Sequence, residues 1–506
     1  MFTRTRTRLV SGLALIGLMP MALTGCFSSS QASAEQESEQ RISLAMLQPP
    51  RSGLSPLSDD AFKLSRWNTA ETLTVLNEQD EAEPKLASAV NRVDEHTWSF
   101  TIRDGVSFHD GTELTAEVAA AALQHAVDAT PQPRILDGVE LSIRTDGGKV
   151  LITTAQPDPL LSHRLSSPQL SILSPAAYTG QTVNPVGTGT GPYELVASNG
   201  TSSATLNRFE KYWGEPAAAA GLDVHYVPDG TARAAALRTG EADIVEAIPV
   251  GQAAQIDPSL IFEVPMPRTN TLYLNSESGP FKDPAVRAAA REAIDRARIV
   301  ADVYEQRADQ AEGLLGPALP WVAAEREAAA YQQALNTRPA AAKVDGVKIK
   351  LGTFTDRAEL PEVAVLIEQQ LEAAGFEVTQ DVREYQYIEA DALEGKFDAF
   401  ILSRATVLDS GDPVAYMYSD FACEGSFNIS QLCDKDIDRA LAEASAAAPG
   451  AERRAAIARA ESLILASDAA IPMLHERVIQ GERQVRDAVR DPRERALVST
   501  STAIEP

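Results

Sequence analysis

Residues 98–118, WSFTIRDGVSFHDGTELTAEV, are the most legible stretch of this chain. Apolar and polar residues alternate over 98–102 and again over 106–108, which is the period-two pattern of a half-buried strand. An Asp-Gly dipeptide, a typical tight turn, follows each run. Thr115 then stands where a side chain can cap a helix that begins at Ala116. The stretch therefore predicts a strand, a turn, a strand, a turn and a helix.

Residue types alone make this stretch a scaffold piece of an α/β protein, but its order of residues resembles a signature of a known family. The family is the extracellular solute-binding proteins of ABC importers, family 5, the peptide and nickel branch. Four further segments resemble motifs of that family in the family's order: 83–87 (EPKLA), 185–193 (PVGTGTGPY, with an additional Gly-Thr), 212–214 (YWG) and 471–474 (IPML).

The resemblance implies an α/β fold of two lobes, a periplasmic-binding-protein-like fold with two crossing strands and an extra subdomain in lobe one. The crossing strands are expected near 271–275 and 473–476. The expected divisions are a signal peptide (1–25), a flexible tether (26–40), lobe one (41–272, with an inserted subdomain at about 85–185), lobe two (273–472) and a return segment to lobe one (473–506).

The first residues have the composition of a secretory signal. Three arginines precede an apolar run over 9–23, which is too short to favour the rival interpretation as a membrane anchor. The run ends in Leu-Thr-Gly-Cys, which looks like a bacterial lipobox with Cys26 as the lipidated residue. We therefore expect an exported protein that is lipid-anchored to the outer face of the bacterial cell membrane, or periplasmic.

The net charge limits the classes of binding partner, and the cysteine content indicates a disulfide. The formal net charge of −26 argues against nucleic acid as a partner and favours solubility, with a mild bias toward cationic ligands. With Cys26 assigned to lipid, Cys423 and Cys433 remain, and an even remainder in an exported protein suggests a disulfide. A metal pair is the less favoured alternative, since no other Cys or His lies near them in sequence.

Enzyme motifs are missing from the sequence. There is no Gly-x-Ser-x-Gly and no Ser-x-x-Lys, and His475-Glu476 lacks a second histidine because Ile479 stands four residues after His475. The sequence predicts neither a catalytic residue nor a cofactor. An exported hydrolase remains the alternative of another class, and a lipoprotein that only scaffolds or senses is a second one.

The segment 409–413, DSGDP, follows a predicted strand of lobe two and resembles a segment of the dipeptide and oligopeptide binders. In those relatives the first aspartate pairs with the α-amino group of the ligand, so the resemblance implies Asp409 as a ligand residue. A carboxylate suits an ammonium group because charge-assisted hydrogen bonds are strong. The same segment is also good turn chemistry, with Asp412 as a helix cap.

Two more residues are candidate ligand contacts. Arg404 offers a planar guanidinium to a peptide carboxylate, although the arginine of the oligopeptide relatives stands one residue further from the aspartate. Trp67 falls where loops of lobe one approach the solute in the family. Scaffold arginine and core aromatic are the alternatives for these two residues.

The resemblance therefore implies a solute-binding lipoprotein, a monomer, that captures small peptides and delivers them to the permease and ATPase of an ABC importer. The alternative within the family is nickel or a metal chelate. None of the six histidines lies between 226 and 474, which excludes direct histidine ligation of nickel from lobe two, but a preformed chelate needs no histidine.

Overall fold

The computed structural model describes residues 40–505 except 137, 180, 181, 358, 408 and 409. The predicted signal peptide, most of the tether and the lipidation residue Cys26 lie outside the described residues. In chain order the strands are β1 (Arg41–Met46), β2 (Thr74–Leu76), β3 (Ala82–Pro84), β4 (Ala87–Arg92), β5 (Thr97–Ile102), β6 (Leu141–Asp146), β7 (Lys149–Thr154), β8 (Tyr193–Ser198), β9 (Ser203–Arg208), β10 (Gly221–Tyr226), β11 (Ile244–Val245), β12 (Ile261–Leu274), β13 (Ala308–Gln310), β14 (Val347–Phe354), β15 (Phe376–Arg383), β16 (Ala399–Ala405), β17 (Ala470–Glu482), β18 (Val485–Arg486) and β19 (Ala503–Ile504).

The α-helices are α1 (Ala61–Arg66), α2 (Ala116–Asp128), α3 (Leu161–Arg164), α4 (Gly230–Thr239), α5 (Val250–Ala253), α6 (Pro284–Ala293), α7 (Arg296–Asp302), α8 (Val322–Arg326), α9 (Ala329–Leu335), α10 (Glu359–Ala373), α11 (Tyr385–Leu393), α12 (Val414–Phe421), α13 (Lys435–Ala446) and α14 (Ala451–Ala466). Within the described part of the chain, no helix is both long and apolar enough to cross a membrane.

One sheet runs through both halves of the molecule. Its strand order is β15-β14-β16-β12-β17-β11-β1-β10-β9-β8, and β13 pairs with β17. The long strands β12 and β17 are antiparallel neighbours at its centre. Parallel pairs lie on both sides of them, β14 with β15 on one side and β1 with β10 on the other. The sheet thus joins two α/β halves through two strands.

Separate hydrophobic cores lie in the two halves. One core is built almost entirely from residues between Leu272 and Leu474. A second is built on β1 and β10 and includes Leu497 and Val498 from the end of the chain. We call the half that holds the second core lobe one and the other half lobe two. The crossing strand β12 begins at Ile261, ten residues before the position expected from sequence.

A four-stranded antiparallel sheet, β4-β5-β7-β6, packs with α2 around a third core in lobe one. The strand β5 and the helix α2 follow the prediction, and Thr115 Oγ1 accepts a hydrogen bond from Val118 N at 3.3 Å. The prediction of a strand over 106–108 was wrong. Only one isolated bridge, Ser107 with Glu113, forms there, because the flanking turns leave a short arch whose apolar side chains are buried.

The glycine-rich run 187–191 is a packing element. A Cβ on Gly189 or Gly191 would lie 2.0 Å from Thr69 O or 2.1 Å from Asn68 O. The run therefore lies directly against the backbone after α1. The helix α1 ends at Arg66, and Asn68 has a positive φ of 54°.

Candidate functional site between the lobes

The ladder between the crossing strands is broken where the chain passes from one lobe to the other. Pro265 pairs with Arg477 and Thr269 pairs with His475, so the register shifts between these positions. Residues 266–268 are left out of the ladder with β17. Such an irregularity bends a strand and re-aims its side chains, and Arg268 lies in this segment.

Arg268 is a half-buried cation at this crossing point. No hydrogen bond or ion pair among the described residues reaches its guanidinium, although charges from both lobes surround it. Burial, and next the positive charge of Arg357, lower the pKa of Arg268, while Glu494 of lobe one and Glu476 of β17 oppose this shift. A guanidinium stays protonated despite such a shift, so this charge has an unused capacity for an anion.

Two paired arginines stand beside it. Arg404, near the end of β16, holds Asp420 through Nε to Oδ2 at 2.9 Å and Nη2 to Oδ1 at 2.8 Å. Its guanidinium carbon lies 4.3 Å from the ring centre of Phe427. Burial alone would lower the pKa of Arg404, but the charge and the hydrogen bonds of Asp420, together with the nearby Tyr273 and Tyr416, raise it. Arg404 is thus a charged, stacked group whose fork is largely occupied by Asp420.

Arg357, in the loop after β14, is bound to Glu476 and also donates to Ser403 Oγ at 2.8 Å. Burial would lower its pKa, yet the charge of Glu476 raises it. The ion pair ties the loop after β14 to the crossing strand β17. Lobe two therefore presents two arginines whose charges are compensated, next to Arg268, which has no direct partner among the described residues.

A cavity of about 450 Å³ adjoins Arg268 on the side of lobe one. We call it the crossing cavity. Its lining residues are Gln48, Arg51, Ser52, Ser58, Asp59, Asp60, Phe62, Lys63, Arg66, Arg134, Arg268 and Glu494. Most of these come from the loop before α1, from α1 itself and from the segment after β18.

Asp60 organises the loop that forms the wall of this cavity. It accepts hydrogen bonds from the backbone N–H groups of Arg51 and Ser52. Its Oδ1 also forms an ion pair with Lys63 Nζ at 3.1 Å. Burial would raise the pKa of Asp60, but these backbone donors outweigh burial and lower it. The carboxylate therefore stays ionised and keeps the loop in place.

The predicted residue Trp67 is not at this site. Its side chain is 0% exposed, and its Nε1 donates to Met46 Sδ at 3.0 Å inside the core of lobe one. The expectation that Trp67 contacts the ligand is therefore wrong, because a ring enclosed by the core has no face free for a solute. An aromatic residue at the end of an amphipathic helix packs inward for the same reason as its apolar neighbours.

Arg404 lies in lobe two as expected, but its fork grips Asp420. Asp409 lies outside the described residues. Asp412, three residues later, forms a buried ion pair with Arg453, with Nε to Oδ2 at 2.6 Å. Cys423 and Cys433 are joined by a disulfide in lobe two.

Sequence reasoning missed Arg268 and Arg357. Arg268 stands three residues before the run TLYL that ends β12, a position that a search for motifs does not weigh. Arg357 follows the strand β14 in an ordinary polar loop and has no signal of its own. Within the described residues, no group of three His, Cys, Asp or Glu side chains is placed to hold a metal ion.

Comparison with known proteins identifies the group to which this two-lobed chain belongs. Residues 81–428 match the family described as bacterial extracellular solute-binding proteins, family 5. The chain belongs to this family. The resemblance seen in the sequence is thereby confirmed, and with it the role as solute-binding component of an ABC importer.

Three relatives illustrate the breadth of the family. The nickel-binding protein NikA of Staphylococcus aureus is 24% identical over 73% of this chain and 75% of its own. The glutathione-binding protein GsiB of Escherichia coli O1:K1 is 30% identical, but the match spans 44% of this chain and less than half, 46%, of the relative. The solved structure of DppA from Helicobacter pylori in complex with the peptide STSA has a TM-score of 0.71 and 20% identity, covering 94% of this chain and 100% of its own.

The agreement with DppA over nearly the whole chain confirms the predicted two-lobed α/β fold. Members of the family are extracellular or periplasmic and work with the membrane parts of ABC importers. The family relatives are binding proteins of transporters rather than enzymes.

Proposed function

We propose that this protein captures small peptides between its two lobes and delivers them to the permease and ATPase of an ABC importer. We further propose that it does so as a monomer held to the membrane through lipid on Cys26 and has no catalytic activity. The single observation that carries the proposal is Arg268, a half-buried guanidinium at the crossing strands without a direct partner in the described residues. Such a group favours a ligand with a carboxylate.

The two ends of a peptide suit two different parts of the cleft. The carboxylate would bind the fork of Arg268, since a guanidinium matches two carboxylate oxygens. The α-amino group would pair with Asp409, which comes four residues after the end of β16 in the sequence. A peptide bound in this way touches both lobes only when they are closed, so binding would shift the population toward the closed form.

A metal chelate is the second candidate. NikA of S. aureus, the relative that matches the larger share of this chain, is named a nickel-binding protein. A chelate held through its own carboxylates would also bind Arg268, whereas free nickel prefers imidazole ligands. A peptide and a metal chelate would therefore both offer a carboxylate to Arg268. They differ because the peptide also carries an α-amino group and the chelate carries a metal.

A thermal-shift panel tests the function. The purified protein is heated with di- to pentapeptides, with free nickel, and with nickel in histidine or citrate. A solute at about 100 times its Kd adds about 2.7 kcal/mol to the free energy of unfolding, and such an increment corresponds to a shift of several degrees. A shift with peptides alone supports the proposal, and a shift with a chelate alone replaces the peptide by the chelate.

The role of Asp409 is tested by the variant Asp409→Asn. We expect at least tenfold weaker binding of the best peptide by calorimetry, because the amide removes the negative charge that attracts the ammonium group. Asp436→Asn is the matched control, since Asp436 is an exposed aspartate of lobe two, 74% accessible, on α13. Equal affinity of the Asp409 variant and the control would disprove this role. Turnover of a peptide in the same assays would instead favour a hydrolase.

A further inference from the structure

The crossing cavity is lined by more cations than anions, although the chain as a whole carries a formal net charge of −26. We infer that the captured solute is an anion with at least two carboxylates, and that Arg51 and Arg268 grip it together. The inference rests on the proposed capture of a solute between the lobes and names its class. An acidic peptide and a metal held in a polycarboxylate chelate share this chemistry.

The acids that line the crossing cavity pair with three of its five cations, and two arginines remain without an ion pair in the described part of the chain. Lys63 Nζ lies 3.1 Å from Asp60 Oδ1, and Arg134 Nη1 lies 3.2 Å from Asp59 Oδ1. Arg66 is bound to Glu246 and lies 3.5 Å from Glu494 through its Nη2 and Oε1 atoms. Every acid that lines the cavity therefore has a cationic partner already.

Arg51 and Arg268 have no such partner among the described residues. Arg51 donates its backbone N–H to Asp60, but its exposed guanidinium makes no hydrogen bond or ion pair there. Arg268 reaches the same cavity from the crossing strand β12. The acid in electrostatic range of Arg268 on the lobe-one side is Glu494, which Arg66 already engages.

Two guanidinium groups that line one cavity without a partner among the described residues gain most from a solute that brings two negative charges. A neutral peptide offers one carboxylate, its C-terminus. An acidic side chain, or a second carboxylate of a chelate, supplies the other. Each would form charge-assisted hydrogen bonds with a guanidinium, and such bonds are about twice as strong as neutral ones.

The test compares matched solutes by calorimetry on the purified full chain. The tripeptides Ala-Glu-Ala and Ala-Gln-Ala have the same length and almost the same shape, and nickel citrate and nickel histidine form the second pair. We expect the acidic peptide, or nickel citrate, to bind at least tenfold more tightly than its less anionic counterpart. A preference within the first pair identifies a peptide as the source of the carboxylates, and a preference confined to the second pair identifies a chelate.

The arginine variants assign the preference to the cavity. Arg268→Gln should reduce it to threefold or less, and Arg51→Gln should reduce it partly. Arg298→Gln is the charge-matched control, because Arg298 is a half-exposed residue on α7 that pairs with Asp302 on the same helix. If Arg268→Gln does not fold, the exposed position of Arg51 keeps the test intact.

Two results would overturn the inference in distinguishable ways. If neither pair shows a preference for its more anionic member, the selection for anions is wrong, and the capture of peptides stands where both peptides bind. If the acidic solute is preferred equally by the wild type and both cavity variants, the preference originates elsewhere and the two arginines are not its source. Absence of binding by any solute of both pairs would instead contradict the proposed function, on which the inference rests.

Discussion

Glu71 is the residue at which distant parts of the sequence meet in lobe one. It is 4% exposed, and its carboxylate accepts hydrogen bonds from Thr190 Oγ1 at 2.8 Å and Trp213 Nε1 at 2.9 Å. Tyr212 OH at 2.9 Å and Lys85 Nζ at 3.0 Å complete the set. These donors belong to the PVGTGTGPY, YWG and EPKLA segments, so three motifs separated in sequence are held by one carboxylate.

We predict that Glu71→Ala destabilises the protein substantially. Its removal leaves several buried donors without an acceptor, and the loss of one partner from a buried charged cluster costs about 3 kcal/mol or more. This corresponds to a decrease in Tm of roughly 6–12 °C for a lobe of this size. Differential scanning calorimetry measures the change.

Glu78→Ala is the matched control for Glu71, because Glu78 is an exposed carboxylate seven residues along the same segment. Its removal should change Tm by less than 2 °C, as is usual for surface substitutions. A comparable, small loss in both variants would mean that the cluster around Glu71 contributes little to stability. Binding of the solute should be retained by the folded Glu71 variant.

At the scale of the element, the crossing strand β17 carries a buried histidine. His475 is 3% exposed, and its Nδ1 lies 2.9 Å from Thr269 Oγ1 on β12. The hydroxyl of Thr269 donates to Leu314 O at 2.7 Å, so Nδ1 of the histidine carries the proton and donates to Thr269. Burial, followed by the charge of Arg326, lowers the pKa of His475 from 6.5 to about 3.

The lowered pKa makes stability depend on pH. Below pH 6.5 this histidine is protonated in the unfolded chain, whereas in the folded chain it stays neutral down to about pH 3. Stability is therefore fully present above pH 6.5 and is lost as the pH falls through this window, by about 1.4 kcal/mol per pH unit. We predict that His475→Asn has a flatter dependence of unfolding free energy on pH, with about 2 kcal/mol less loss between pH 6.5 and 5.

Urea unfolding at pH 5, 6, 7 and 8 measures this slope for both proteins. The variant itself is expected to be less stable at pH 7, since asparagine fills less of the buried site, so the slope and not the absolute value is the readout. The exposed His225 supplies the control, because His225→Asn should leave the slope unchanged. Parallel curves for wild type and His475→Asn would contradict the prediction.

The elements that the sequence predicted well carry local signals. The predicted cap at Thr115 depends on a few neighbouring residues of the helix that it begins. The strand expected over 106–108 does not form because packing against distant segments decides the conformation there. Arg268 escaped notice for the same reason, as its lack of a partner is a property of what the fold places around it.

At the scale of the whole molecule, the two lobes touch outside the crossing cavity. Arg454 of α14 lies 3.6 Å from Glu81 of lobe one. Close to this pair, Gly411 of lobe two meets Leu76 of β2, and a Cβ on Gly411 would lie 2.5 Å from Leu76 Cδ1. The described conformation thus brings backbone of the DSGDP segment directly against a side chain of lobe one. An exposed ion pair contributes little, about 0.2–1 kcal/mol, so we expect the close approach at Gly411 to limit closure more strongly when a side chain is added there.

We predict that Gly411→Ala holds the lobes apart. The added methyl group meets Leu76, and overpacking of a closed contact costs about 1–3 kcal/mol, which weakens the apparent affinity roughly tenfold because the competent closed form is less populated. The double variant Gly411→Ala with Leu76→Ala should regain most of the affinity, since the second change removes the clashing atoms. Both variants share the backbone strain at Gly411, whose φ is 71°, so their difference reports the lobe contact alone. X-ray scattering with the solute that gives the largest thermal shift should show a larger radius of gyration for the single variant only, and equal radii for all three proteins would show that this contact does not limit closure.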